Sequence, residues 1–207
     1  MNRKLGRIGA LVTGAAVLAF ALSMVVGFFT PMLFASCLSS MLIAIGYVTF
    51  TVALAGINQE AERRGVSYAA VAFSVIYAVL VLLVYYAQCT TLNLNPSMSA
   101  EALSLISYGQ AGSLFFNYDL LGYGFMGLST FFAGFVVKPV TGRARALRIM
   151  LWIHGAFFPI CFIMPMLPVF TGGGDSSYGT YLLEGWCAYF LPLCLLAYDY
   201  FRRPATA

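Results

Sequence analysis

Asp119, Glu184 and His154 carry the chemistry this sequence could do. Asp119 lies within Gly112–Val137, an apolar stretch long enough to cross a membrane. An ionisable group so placed faces a bundle interior or a wet cavity rather than lipid. On a 3.6-residue period it shares a face with Gly112, Tyr123, Met126, Thr130 and Ala133. Leu114, Leu121, Phe125, Leu128, Phe132 and Phe135 form the opposite side, directed at lipid.

At ~1.5 Å per residue, Asp119 sits roughly 10 Å and Glu184 roughly 5 Å below the outer boundary, so the two acids share a depth. Gln88, Asn117 and Tyr123 can join them in an outward-facing polar pocket with aromatic walls. His154 falls roughly 8 Å deeper, within reach of a water-linked relay but not of an assured hydrogen bond. These six residues are the candidate ligand-binding or proton-sensitive groups. Burial and a neighbouring carboxylate both disfavour a charged Asp119, which is expected to hold a proton at neutral pH. The plainer roles stay open: Asp119 as a neutral acid bonded to the next helix, Glu184 as an interfacial group, His154 as a packed imidazole on a backbone carbonyl.

One histidine cannot supply a His-rich zinc site, the five cysteines form no CxxC pair, and no Ser-His-Asp set can be placed. No catalytic set, metal or cofactor is expected. Cys37 and Cys89 fall at the outer ends of their helices, where an oxidising compartment would allow a bridge.

The elements that must position these groups are membrane spans. Of 207 residues 61% are hydrophobic and 9% charged, and the mean hydropathy is +0.88, far from the soluble norm of about 25% charged. Apolar runs give spans at 8–29, 37–57, 67–88, 112–137, 146–170 and 181–200. The fold class is therefore all-α, a polytopic six-helix membrane bundle forming one domain. No polar stretch reaches the ~50 residues of a soluble domain, which excludes an ATPase or nucleic-acid-binding module from the chain. Lipid is the expected surrounding, and any energy source would be a partner subunit or a gradient.

All 11 basic residues lie before the first span, after the sixth, or near the loops joining spans two to three and four to five. The positive-inside rule then places both termini in the cytoplasm of a multi-pass plasma (inner) membrane protein. Arg3, Lys4, Arg7 and Ala19-Phe20-Ala21 imitate a cleaved signal, but the apolar run continues to Phe29 and reads as a retained helix. Ala10, Gly14, Ala15 and Ala19 suit it to close packing. The size and six-span plan are similar in layout to the membrane-embedded substrate-binding subunits of vitamin importers, a likeness that assigns no residue a role.

Local signals refine the plan. The second helix is expected to run on to Arg64 with Glu60 and Arg64 paired, and Pro96–Ser107 to form a short interfacial helix capped by Asn95, its face Met98, Ala102, Leu105 and Ile106. Pro159, Pro165 and Pro168 should kink the fifth span and free carbonyls to line a site, Thr171–Thr180 should be a Gly-rich loop, and Asp199 should pair with Arg202 or Arg203. Three functions fit: a binder or carrier of a small, partly apolar molecule, an intramembrane enzyme acting on a lipid-like substrate, or a structural or regulatory subunit without ligand.

Overall fold

The computed structural model describes residues 1–95, 97–167 and 177–203, with backbone alone for 177–180. Pro96, Pro168 and 171–176, including Asp175, lie outside the described residues, whereas 177–180, expected to belong to the Gly-rich loop, already form the start of a helix. The chain is 84% helical, without a strand among the described residues, and six of its helical units are long and apolar enough to cross a membrane. They are α1 (Asn2–Gly27), α2 (Leu33–Ile57), α3 (Arg64–Ala87), α5 (Leu114–Val136), the broken pair α6 (Gly142–His154) and α7 (Phe157–Ile163), and α8 (Ser177–Arg202). A short α4 (Ala100–Ile106) lies between α3 and α5.

The spans close a ring in sequence order. Helix α1 packs on α2, α2 on α3, α3 on α5, α5 on α6 and α7, α6 on α8, and α8 back on α1. Hydroxyls join neighbours, Ser23 to Ser36 at 2.8 Å and Thr51 to Ser74 at 2.8 Å, and Tyr47 of α2 reaches past α3 to donate to Ser129 of α5 at 2.9 Å, whose hydroxyl donates to the Ala70 carbonyl. Such bonds average only ~0.6 kcal/mol in membranes, so close packing must supply most of the association. Gly6, Gly9, Thr13 and Gly14 make the seam of α1. Ala15 and Ala19, expected there, are exposed.

Several ends differ from expectation. Helix α2 stops at Ile57, where Asn58 turns extended and bonds to Ser67, and Glu60 pairs with Arg63 at 2.6 Å and Lys138 at 2.9 Å rather than with Arg64. Helix α4 is capped by Ser99, whose Oγ accepts from the Ala102 N–H at 3.2 Å, while Asn95 donates to Thr91 O. Met98, Ala102 and Ile106 are partly buried, but Leu105 is exposed. The break between α6 and α7 falls at Gly155, four residues before Pro159, whose ring opposes a regular helix there. The Gly155 carbonyl is not freed for a ligand, because the Phe158 N–H takes it at 3.1 Å.

The start of α1, the end of α8 and the α2–α3 and α5–α6 connections gather at one end of the ring. Arg3 Nη1 donates to Arg203 O at 2.8 Å, Lys138 N–H to Tyr200 OH at 3.2 Å, and Asp199 accepts from Arg203 at 2.7 Å with Arg143 at 3.5 Å. We call this the basic end and the opposite one the far end.

At the basic end the Lys138 hydrogen bond, then the Arg63 charge, hold the Glu60 carboxyl below its ordinary 4.5. A depressed carboxylate contributes stability above its unfolded-state value and loses it as pH falls through the folded one. Glu60→Gln is therefore expected to lower the melting temperature slightly at pH 6–7, as for any exposed pair. The difference from wild type should shrink to nothing once the pH is taken below that of the folded carboxyl. Melting curves from pH 7 to 3 check this, and a gap persisting in acid would assign the loss to packing.

Candidate site around Asp119

Helix α5 starts at the far end, where Ser113 Oγ accepts from the Phe116 N–H, and carries the partly buried Asp119 and the buried Tyr123 one turn apart on one face. Tyr123, Met126, Thr130 and Ala133 are buried on that face, as the period implies. Phe125 and Phe132, expected to meet lipid, instead stack on Phe73 of α3 at 5.9 and 5.6 Å.

The Tyr85 hydroxyl donates to Asp119 Oδ2 at 3.2 Å. Asp119 Oδ1, Tyr77 OH, Tyr123 OH and Ser40 Oγ are buried without a hydrogen-bond partner. The hydroxyls of Ser40, Tyr85 and Tyr123 lie close enough to interact, but not in bonding geometry. Tyr77, Tyr123, Cys37 and Cys161 also lie within electrostatic reach of the carboxyl. No cation does so among the described residues. Three helices, α2, α3 and α5, thus present more hydrogen-bonding capacity than they use. Each orphaned buried group costs about 1–3 kcal/mol, and native proteins seldom leave several together without a reason.

The far end closes over this cluster. Tyr108, between α4 and α5, packs edge-on against Tyr85 at 5.3 Å. Burial above all, then Cys37, Asp119 and Cys89, push its phenol up. Gln88 is buried and donates to Ile106 O at 3.1 Å, tying the π-helical turn after α3 (Gln88–Leu92) to the end of α4. Cys37 and Cys89 are neighbours here, and both thiols are free.

The other candidates stand apart. Asn117 reaches only Gly112 O, at 3.5 Å, and its Oδ1 is unpaired. Glu184 on α8 is the charge neighbour of Cys187 and makes no bond to Asp119. Its Oε1 is likewise buried and unpaired. His154 belongs to a different network. Trp186 Nε1–H donates to His154 Nε2 at 2.9 Å, and His154 Nδ1 lies 2.9 Å from Thr130 Oγ1, which bonds to Gly127 O. An indole N–H can only donate, so Nε2 accepts and the proton sits on Nδ1. The expected backbone carbonyl is replaced by these two side chains, and neither ring nitrogen is left for a relay to Asp119.

Between the basic end and the Asp119 cluster the ring is filled by aromatics. Tyr47, Tyr77, Tyr123, Trp186 and Phe190 form a cycle, with successive centroids 5.8, 5.7, 5.3, 4.9 and 6.2 Å apart. His154 stacks on Phe157 at 4.9 Å and meets Phe190 edge-on at 5.1 Å. The aromatic cycle forms the inner floor of the Asp119 cluster.

Sequence reasoning missed Tyr85, Tyr77 and Ser40 as members of the cluster. The signal was present in α3, where Ser74, Tyr77, Val81 and Tyr85 recur at three- and four-residue spacing and are all buried. Comparison with protein-family models, curated proteins and solved structures finds no match for this chain.

Proposed function

We propose that this integral membrane protein binds or carries a small, partly apolar molecule through the cluster centred on Asp119, reached from the far end. The orphaned polar atoms carry this reading: a carboxyl oxygen and three hydroxyls from three helices, walled by tyrosine rings, match the few convergent polar groups of an otherwise apolar ligand site. A guest offering hydrogen-bond donors and acceptors would satisfy them. With every basic residue near the other end of the spans, we read the far end as external and both termini as cytoplasmic. Asp119, without a cationic neighbour, is read as proton-bearing, which couples binding to pH. An intramembrane enzyme is supported less well, because both nitrogens of His154 are engaged away from the carboxyl.

The test compares purified wild type with Asp119→Asn against a panel of lipophilic amines, alcohols and carboxylic acids, read by melting temperature and tryptophan fluorescence at pH 5–8. Trp186 touches Tyr123 and so reports on the floor of the cluster. At least one class is expected to stabilise wild type by about 2–3 kcal/mol at 100 times its Kd, in a pH-dependent manner. Asp119→Asn should fold, melt close to wild type and lose the pH dependence. A panel without effect, or equal responses from both proteins, would point instead to a packed structural subunit.

A further inference from the structure

We propose that the basic end holds a second site, for a phosphate ester bearing hydroxyl groups. A cavity of about 510 Å³ opens there, within the range of small-molecule pockets. It is built by four segments that meet only in the closed ring: the start of α1, the residues after α2, the α5–α6 connection and the end of α8. Arg3, Lys138 and Arg203 supply cations to its wall, and among the described residues Asp199 is the only carboxylate of that wall.

The state of these charges defines the ligand. Arg203 is committed to Asp199, and Lys138 to Glu60 from outside the cavity. Arg3 differs: it is half-buried, makes no ion pair among the described residues, and is anchored through Nη1 on the carbonyls of Tyr200 at 3.3 Å and Arg203 at 2.8 Å. Those bonds fix the guanidinium plane and leave Nε and Nη2 donors for an incoming group. A planar fork with unpaired Nε–H and Nη2–H donors matches phosphate oxygens, while Lys138 and Arg203 on the same wall are already neutralised by their carboxylates. The volume exceeds what a bare phosphate fills, and Asp199, Asn58 and Gln59 offer acceptors and donors to hydroxyls on its ester group. Basic pockets between helix ends suit anionic lipid head groups, and a soluble sugar or glycerol phosphate presents the same chemistry. This inference does not rest on the Asp119 reading.

The experiment uses the full chain in an uncharged detergent and in nanodiscs. One arm titrates glycerol 3-phosphate and follows melting. The other reconstitutes the protein in phosphatidylcholine with or without phosphatidylglycerol and measures retained lipid by native mass spectrometry. Arg3→Gln is expected to weaken binding about tenfold, as for loss of a charge-assisted contact. Arg145→Gln, an exposed charge at the same end but outside the cavity wall, should leave it unchanged. Binding of the soluble ester identifies a soluble ligand, and retention of phosphatidylglycerol alone identifies a head group. The proposal fails if neither probe binds, or if Arg145→Gln weakens binding as much as Arg3→Gln. It fails equally if Arg3→Gln lowers the melting temperature but leaves affinity intact, since Arg3 would then only cap α8.

Discussion

Gly9→Leu is expected to abolish the folded bundle, and Gly9→Ala to destabilise it by about 1–3 kcal/mol, the usual cost of overpacking. At Gly9 an added Cβ would meet Phe50 N at 2.6 Å, Gly46 O at 2.9 Å and Phe50 Cα at 3.0 Å. All three are backbone atoms of α2, so no rotamer change relieves the clash and the helices must separate. From the other side, a Cβ on Gly46 would meet Thr13 Oγ1 at 2.6 Å and Thr13 N at 2.8 Å, so the seam is tight in both directions. Separation would also spoil the Ser23–Ser36 bond farther along the same pair. Gly185→Ala supplies the control, because nothing lies within 4 Å of its added Cβ; it should be neutral or gain up to ~1 kcal/mol of helix propensity. Melting in a single detergent measures all three. Equal behaviour of Gly9→Ala and Gly185→Ala would overturn the close-contact account.

His154→Ala carries the second large effect, on the order of 4 kcal/mol. The ring is 1% exposed and wedged among Phe157, Tyr189 and Phe190, so deleting it leaves a cavity costing about 2 kcal/mol or more. It also strands the buried Trp186 Nε1–H, at roughly 1–3 kcal/mol. Trp186→Phe keeps the aromatic wall and removes only the donor, and should cost less than half as much. Thr130→Val should do likewise from the Nδ1 side. If the three residues act as one chain, Trp186→Phe and Thr130→Val will be non-additive in a double-mutant cycle. The ¹⁵N shifts of the imidazole should report a neutral ring protonated on Nδ1. A ring protonated on Nε2 would contradict the assigned hydrogen-bond chain.

The six spans were legible because length and hydropathy suffice to mark them, and the buried face of α5 because 3.6-residue spacing survives in an apolar sequence. What periodicity cannot say is which neighbour a face meets. Lipid and protein are equally apolar, so Phe125 and Phe132 carried the same signal whether they faced acyl chains or Phe73. Tyr85 and Tyr86 are adjacent and identical in the sequence, yet they are 1% and 63% exposed, and only the former bonds to Asp119. The contacts of α1 run through Gly6, Gly9 and Thr13 rather than Ala15 and Ala19: the missing Cβ of Gly9 admits the Phe50 backbone, that of Gly46 admits Thr13, and that of Gly6 admits the Phe201 ring. Asp119 could be singled out as a costly group, but the polar atoms gathered around it come from helices distant in sequence.

Because the ring closes between its first and last helices, its assembly is bound to the order of synthesis. Helix α1 leaves the ribosome first and can dock at once on α2, but its other flank, with Gly14 facing Cys194, stays open until α8 is made. Over the same interval His154 lacks Trp186, and Tyr47 lacks Phe190. Insertion of the last helix therefore completes the hydrogen bonds of the fifth span and the packing of the first in a single step. A chain lacking that helix leaves the imidazole without its indole donor and the small-residue flank of α1 without its cover.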